Sequence, residues 1–171
     1  TGYSPMMPKW AAGFWQCKCR YESQDILLNV AREYKRRGIP IDAIVIDFFH
    51  WTEQGDLKFD PKYWPDPKAM VEELKSMGME LMVSVWPQVS LKSEMNNRNM
   101  LVRTENGQYP TFDFFGMITF IDPTNPETAK FYWDKVKKNY YDYGIKNFWL
   151  DEAEPEVHPQ QFANLKMYAG N

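Results

Sequence analysis

Three segments of the chain carry apolar residues at helical spacing, and each is bounded by residues that start and stop helices. The predicted N-caps are Ser23, Asp66 and Asn125, and the glycines that end the segments are Gly38, Gly78 and Gly144. The pattern therefore predicts three amphipathic helices. Their buried stripes are formed by Ile26, Leu27, Val30, Ala31 and Tyr34; by Met70, Val71, Leu74 and Met77; and by Ala129, Tyr132, Trp133, Val136, Tyr140 and Tyr143.

Short apolar runs alternate with these helices and predict strands that are buried on both faces. They lie at residues 13–17, 39–46, 80–86 and 145–150. Such alternation favours a parallel sheet with right-handed crossovers. No glycine-rich phosphate loop follows any strand, which argues against a dinucleotide-binding sheet and for a TIM-type barrel. The predicted fold class is α/β, a parallel (β/α)8 barrel of which only about the first four β/α units are present.

A chain of 171 residues is expected to form one domain. The helix–strand repeat breaks between about residues 87 and 122, where a polar stretch is followed by the turn signal at 105–108. Aromatic side chains in this segment argue against disorder. We therefore expect residues 1–171 to be one partial barrel domain, with an ordered insertion after the third strand that contains a small hairpin.

The charge pattern narrows the choice of partners. The net charge is −3, without a long block of one sign, so nothing suggests a nucleic-acid footprint or binding to a membrane surface. No apolar run approaches the roughly 20 residues that a membrane span needs. Cys17 and Cys19 are interpreted as packing or pocket-lining thiols, since His50 and His158 are the only histidines that could join them around a metal. No metal and no cofactor is expected.

Candidate catalytic and substrate-binding residues lie at the ends of the predicted strands. Asp47 follows the second strand, Trp86 ends the third, and Asp151 follows the fourth. In parallel α/β folds the carboxyl ends of the strands carry the active site. Aromatic residues make up 16% of the chain, and such rings stack on sugar faces. Carboxylates among aromatic rings suit glycosyl transfer. The alternatives are that Asp47 caps the connection after its strand and that the acidic run at Asp151 solvates a loop.

Four sequence blocks carry a specific resemblance. They are residues 8–21, residues 39–47, residues 83–87 and the string Phe-Trp-Leu-Asp-Glu-Ala-Glu at 148–154. They are distributed along nearly the whole chain, from residue 8 to residue 154, and they resemble three successive barrel strands and the nucleophile block of glycoside hydrolase family 31. This family contains the retaining α-glycosidases, including α-glucosidases and α-xylosidases.

The resemblance implies a role for each matching residue. Asp151 aligns with the nucleophile that forms the glycosyl-enzyme intermediate, and Asp47 with the aspartate that binds hydroxyls of the terminal sugar. The remaining substrate-binding residues implied by the match are Phe48, Phe49, Trp86, Trp149 and Glu154, with Glu154 as a supporting group. The expected substrate is an oligosaccharide.

The form of the nucleophile block favours one activity within the family. Many α-glucosidases have Trp-Ile-Asp-Met-Asn-Glu, and Glu152 and Ala153 depart from that pattern. The string here is more similar to bacterial α-xylosidases that act on xyloglucan fragments. An α-xylosidase is therefore favoured over an α-glucosidase.

The catalytic acid of the family has no match in this chain. Retaining hydrolysis needs a second carboxylate roughly 5–5.5 Å from the nucleophile, and the resemblance places it on later barrel strands. We therefore expect the chain to be inactive alone. A half barrel also leaves open sheet edges, so we expect association with the missing C-terminal half of the barrel, or self-association.

Two functions of other classes stay open. A metal-dependent hydrolase would use Asp151, Glu152, Glu154, Glu156 and His158, although prolines interrupt this segment. A non-catalytic sugar-binding module would use the aromatic residues alone. His50 and His158 are interpreted as surface or hydrogen-bonded loop histidines rather than catalytic bases.

Overall fold

The computed structural model describes residues 2–154 and 164–170. The strands in these ranges are β1 (Trp15–Gln16), β2 (Ala43–Ile46), β3 (Glu80–Val85), β4 (Gln88–Ser90), β5 (Arg103–Thr104), β6 (Phe112–Asp113), β7 (Met117–Phe120), β8 (Asn147–Leu150) and β9 (Leu165–Lys166). The α-helices are α1 (Gln24–Arg36), α2 (Pro67–Ser76), α3 (Glu94–Asn97) and α4 (Pro126–Asn139), and short 3-10 helices cover Lys9–Ala12 and Tyr141–Tyr143. No helix in these ranges is long and apolar enough to cross a membrane.

The main sheet has the strand order β1-β2-β3-β8. β1 is parallel to β2 and β2 is parallel to β3, with Ile46 opposite Val83. Along the chain, α1 connects β1 to β2 and α2 connects β2 to β3. The alternation of buried strands and amphipathic helices that the apolar pattern predicts is therefore confirmed.

The side chains predicted as N-caps do cap the three helices. Ser23 Oγ accepts a hydrogen bond from the Ile26 amide at 3.3 Å, and Asp66 Oδ1 accepts one from the Ala69 amide at 2.9 Å. Asn125 caps α4 in the same way. Each cap satisfies an amide that the first helical turn leaves without a partner. These local contacts explain why the sequence alone locates the helices well.

The strands are shorter than the apolar runs predict. β2 begins at Ala43 and not at residue 39, because Pro40 has no amide hydrogen for a ladder and Ile39 is exposed. The fourth predicted strand is also less buried than expected. Leu150 is 75% exposed and Trp149 is 45% exposed, and β8 is the last strand in the order of this sheet.

The third helix stripe is only partly buried. Tyr140 is fully buried and the Tyr132 hydroxyl donates to the Trp86 carbonyl oxygen at 2.9 Å. Trp133 and Tyr143, in contrast, are exposed, so the prediction that all four rings pack between helix and sheet is wrong for these two. The apolar face of α4 is narrower than the spacing of its aromatic residues suggests.

The chain divides into two compact units. The first consists of the described residues of 1–50, 59–84 and 141–149, and the second of those of 51–58, 85–140 and 150–171. In the first unit every residue of β2 is buried, together with Leu27 and Ala31 of α1 and Met70 and Leu74 of α2. A bidentate ion pair joins α1 to α2, with Arg32 Nε 2.6 Å and Nη2 2.9 Å from the Glu73 carboxylate oxygens.

The second unit contains most of the segment between residues 87 and 122. β4, β7 and β6 form an antiparallel sheet in that order, and β6 and β7 are the small hairpin that the sequence predicts. β5 pairs with β9, so that Arg103 lies opposite Lys166. Val102 and Phe120 form a buried cluster that is extended by Phe112, Leu165 and Met167. The predicted insertion is therefore an ordered substructure with its own apolar cluster.

Candidate active site

Asp47 follows β2 directly and is half-buried. Its Oδ1 accepts a hydrogen bond from the Phe48 amide at 2.8 Å, and its Oδ2 lies 3.9 Å from Cys17 Sγ. The Asp47 side chain is thereby held from two sides, by its own loop and by the segment that follows β1. Cys17 is exposed, and its interpretation as a pocket-lining thiol stays a prediction.

The two phenylalanines after Asp47 form an edge-to-face pair. The Phe48 and Phe49 ring centroids are 4.6 Å apart at an interplanar angle of 65°, and the Arg20 guanidinium lies 5.6 Å from the Phe49 centroid. Phe49 has a left-handed backbone, with φ of 56°, which is rare for a bulky residue. The first unit therefore brings together a carboxylate, two half-buried rings and a guanidinium at the end of β2.

His50 is buried beneath this loop. Its Nδ1 lies 2.9 Å from the Asp47 carbonyl oxygen, and its ring lies 5.2 Å from that of Phe59. A carbonyl oxygen can only accept, so Nδ1 carries the proton in this contact. Burial lowers the His50 pKa to about 4, against a smaller opposite effect of the Asp47 carbonyl. His50 is thus a neutral, hydrogen-bonded core residue, and the surface alternative is wrong.

Trp149 belongs to the same unit and lies on β8. Two residues earlier in the strand, Asn147 Nδ2 donates to Glu80 Oε2 at 3.2 Å and to the Leu81 carbonyl oxygen at 3.3 Å. These bonds fix β8 beside β3. The indole of Trp149 is left with nearly half of its surface exposed.

Trp86 lies in the second unit, within an aromatic cluster. Its ring centroid is 5.6 Å from that of Trp51 and 5.7 Å from that of Phe114. Only 3% of Trp86 is exposed. The cluster is built from the start of the segment after Asp47, the end of β3 and the hairpin loop, so that three distant stretches of sequence converge on one indole.

Asp151 follows β8 and is half-buried. Its amide donates to the Val85 carbonyl oxygen at 3.2 Å. The next residue, Glu152, has a left-handed backbone with φ of 52°, and its Oε2 accepts a hydrogen bond from Gln88 Nε2 at 3.1 Å. Glu154 is exposed. The second unit thus holds the backbone on both sides of the Asp151 carboxylate in place.

The described residues contain no group of three or more histidine, cysteine, aspartate or glutamate side chains that could hold a metal ion. Glu156 and His158, which the metal-dependent alternative requires, lie outside the described residues. The geometry given by Asp151, Glu152 and Glu154 therefore supplies no support for that alternative.

The sequence does not reveal two features of this region, the burial of His50 and the contact between Gln88 and Glu152. His50 is buried against Phe59, and its position four residues after the end of β2 gives no local signal of burial. Gln88 lies 64 positions before its partner Glu152, so no short motif joins them.

Comparison with known proteins identifies the family. The model of the glycosyl hydrolases family 31 TIM-barrel domain matches residues 4–170. An uncharacterised family 31 glucosidase, ORF2 of Pseudescherichia vulneris, is 53% identical over 99% of this chain and 33% of its own length. α-Xylosidase A of Aspergillus niger is 40% identical over 96% of this chain and 23% of its own length.

Solved structures agree with this assignment. A family 31 α-xylosidase from a soil metagenome, complexed with xylose, is 55% identical to this chain and superimposes with a TM-score of 0.91. The match covers 99% of this chain and 26% of that protein, so the chain spans a third or less of the relatives named here. The sheet of parallel strands and connecting helices corresponds to part of a (β/α)8 barrel. The chain belongs to glycoside hydrolase family 31, within its TIM-barrel domain.

Proposed function

We propose that this chain is part of a retaining α-glycoside hydrolase that removes terminal α-linked xylose from oligosaccharides. The observation that carries the proposal is the half-buried Asp151 carboxylate, fixed at the end of β8 inside the block Phe-Trp-Leu-Asp. A nucleophile that is held still by its backbone loses little freedom when it reacts. The acid/base residue lies outside this chain.

The reaction proceeds by double displacement. A carboxylate oxygen of Asp151 attacks the anomeric carbon while the bond to the leaving oxygen breaks, and the acid/base residue gives its proton to that oxygen. Water then attacks the glycosyl-enzyme, the same residue takes a proton from the water, and xylose leaves with the Asp151 carboxylate restored. No cofactor takes part in this scheme.

The other candidate residues bind the sugar. Asp47 accepts hydrogen bonds from hydroxyl groups of the terminal sugar, and the rings of Phe48, Phe49 and Trp149 contact it. Trp86, which is 3% exposed within its aromatic cluster, has a supporting role in substrate binding. Glu154 supports the nucleophile segment. The contacts of Asp47 with the Phe48 amide and with Cys17 support this assignment, because they orient the carboxylate without neutralising it.

Xylose is favoured over glucose by the names of the relatives. Two proteins called α-xylosidase are 40% and 38% identical to this chain, whereas an α-glucosidase of Bacillus thermoamyloliquefaciens is 29% identical. An α-glucosidase is the second candidate, because the 53% identical relative is named a glucosidase. A non-catalytic sugar-binding module is the alternative of another class.

The missing half of the barrel is the proposed partner of this chain. β8 ends the strand order of the main sheet and leaves Leu150 and Trp149 exposed. An open strand with apolar residues favours pairing with another strand. A following barrel strand would cover this edge and bring the acid/base residue, and a second copy of the chain is the alternative partner.

A trapping experiment tests the proposal. The complete protein that contains this chain is treated with a 5-fluoro xylosyl fluoride, digested and analysed by mass spectrometry, and we expect the label on Asp151. Asp151→Ala should lower kcat for an aryl α-xyloside by about 10⁴-fold or more. An Asp151→Ala variant with unchanged sugar release would support the binding module. Faster hydrolysis of an aryl α-glucoside than of the aryl α-xyloside would support the α-glucosidase.

The isolated chain gives an independent test. We expect the 171-residue chain to release no xylose from an aryl α-xyloside, because the family resemblance places the second carboxylate that retaining hydrolysis needs on later barrel strands. Turnover by the isolated chain would overturn the assignment of the acid/base residue to another part of the barrel.

A further inference from the structure

We propose that Gln88 is a positioning residue for Asp151 and that it acts through Glu152. This inference rests on the proposed function of Asp151 as the nucleophile. Gln88 touches neither the proposed nucleophile nor the sugar in this scheme. Its amide instead holds the carboxylate of the residue that follows the nucleophile, at 3.1 Å.

Gln88 is well suited to hold a neighbour in place, because it is itself fixed. It is 1% exposed and lies in β4, where it pairs with Phe120 of β7. The main-chain carbonyl oxygen of Gln88 accepts a hydrogen bond from Gln54 Nε2 at 3.1 Å, and the main-chain carbonyl oxygen of Gln54 accepts one from the Ser90 amide at 3.0 Å. β4 and the segment of Gln54 thus form a rigid base under the Gln88 side chain.

The direction of the Gln88–Glu152 bond follows from chemistry. An ionised carboxylate only accepts hydrogen bonds, so the side-chain nitrogen of Gln88 must face Glu152 and its oxygen must face away. A hydrogen bond to an ionised acceptor is stronger than one between neutral groups, and here the donor residue is buried. Gln88 therefore fixes both the position and the rotamer of the Glu152 side chain.

The backbone at Glu152 transmits this constraint to Asp151. Glu152 is in the left-handed region, with φ of 52°, a conformation that a non-glycine residue keeps only when its surroundings hold it there. On the other side, the Asp151 amide is bound to the Val85 carbonyl oxygen at 3.2 Å. Asp151 is thus fixed between two anchors, the end of β3 before it and Gln88 after it.

Loss of the second anchor would release the turn and let the Asp151 carboxylate move. A displacement of about 1 Å from the reactive position can cost about 100-fold in rate. Sugar binding would change little, because the proposed binding residues are held by other contacts. The signature of positioning is therefore a lower kcat at a nearly constant KM.

The experiment compares two substitutions of Glu152 in the complete protein. Glu152→Gln keeps an oxygen that accepts from Gln88, whereas Glu152→Met removes the acceptor and leaves the buried Gln88 nitrogen without it. We expect Glu152→Met to lower kcat for an aryl α-xyloside by about 10- to 100-fold at a KM within about twofold, and Glu152→Gln to recover most of that loss. Glu72→Met, on the exposed face of α2, is the matched control.

A reversed pair adds a second test that does not depend on Glu152 alone. Gln88→Leu removes the donor and should lower kcat as Glu152→Met does. The double variant Gln88→Glu with Glu152→Gln exchanges the two side chains, so that position 152 now donates the hydrogen bond and position 88 accepts it. We expect the double variant to exceed Gln88→Leu in kcat by about tenfold. Thermal unfolding of each variant separates this effect from a general loss of folded protein.

The outcomes distinguish this inference from the proposed function. If the fluorinated donor labels Asp151 but Glu152→Met and Glu152→Gln have equal kcat values, the positioning role is refuted and the nucleophile stands. If the label falls on another residue, the proposed nucleophile is refuted, whatever the Gln88 variants do. A lower kcat in Glu152→Met, recovered in Glu152→Gln, with the label on Asp151, supports both.

Discussion

Acidification should destabilise the folded chain through one buried histidine. His50 is 1% exposed, and burial lowers its pKa from 6.5 to about 4. Between these two values the unfolded chain binds a proton at this site and the folded chain does not. The contribution of His50 to the free energy of unfolding is therefore fully present above pH 6.5 and is lost as the pH falls towards 4.

The size of the effect follows from the two pKa values. At pH 5 nearly all unfolded molecules carry the proton and few folded molecules do, so the free energy of unfolding should be about 2 kcal/mol lower at pH 5 than at pH 7. Domains of this size are stable by about 5–15 kcal/mol. A single side chain thus accounts for a measurable share of the total.

The assay is urea unfolding of the chain at half-unit steps between pH 7 and pH 5, with His50→Asn as the comparison. An asparagine nitrogen can still donate to the Asp47 carbonyl oxygen, but the side chain cannot take up a proton. His50→Asn should be less stable at pH 7, since it loses the contact with Phe59, and its stability should change less with pH.

Other titrating groups do not obscure this difference. Hydrogen bonds from Arg36 and, to a smaller extent, from Arg37 lower the pKa of the Glu33 carboxylate to about 2. In the folded chain Glu33 therefore changes charge below the pH range of the assay. His158 is present in both proteins and cancels in the comparison. If the free energy of unfolding changes with pH equally in the two proteins, the reasoning is refuted. An NMR titration of His50 with a midpoint near 6.5 would then show that burial does not lower its pKa.

Two further substitutions test the packing, each by the shift of the urea midpoint at constant slope. Gly55→Ala should lower the free energy of unfolding by about 2–4 kcal/mol, because Gly55 has φ of 91° and an added Cβ would lie 2.5 Å from Val89 Cγ1. The control is Gly107→Ala, at φ of 78° with no atom within 4 Å of the added Cβ, which should lower it by only about 1–2 kcal/mol. Equal losses in the two variants would contradict the predicted clash with Val89. Ser23→Ala should cost about 1 kcal/mol by removing the cap of α1, and no shift would show that water replaces the hydroxyl.

The parts of the fold that the sequence predicts well are those governed by neighbours in the chain. Ser23, Asp66 and Asn125 cap helices with amides two or three residues ahead, so their effect is visible in a short window of sequence. The parallel alternation follows from the same local signals. Pro40 is also a local signal, and its missing amide hydrogen accounts for the late start of β2.

The parts that the sequence predicts poorly depend on distant residues. Whether Trp133 is buried is decided by what faces α4, and the burial of His50 depends on Phe59 and on the whole loop between them. The bond between Gln88 and Glu152 spans 64 positions. The residues at 47, 86 and 151 are candidates because strand ends are recognisable in the sequence, and their roles stay predictions. The contacts that hold them are not recognisable, because tertiary contacts leave no local pattern.

The wrong prediction for β8 is informative about the protein as a whole. A run such as Ile-Lys-Asn-Phe-Trp-Leu is apolar enough for a strand covered on both faces, yet Leu150 is 75% exposed. Apolar burial contributes about 25 cal/mol per Å², so a strand that pairs with β8 and covers Leu150 would gain stability at this edge. The family relatives extend well beyond the part matched here. The discrepancy between apolar sequence and exposed strand thus lies at the edge where the proposed remainder of the barrel would join, and directly before the proposed nucleophile.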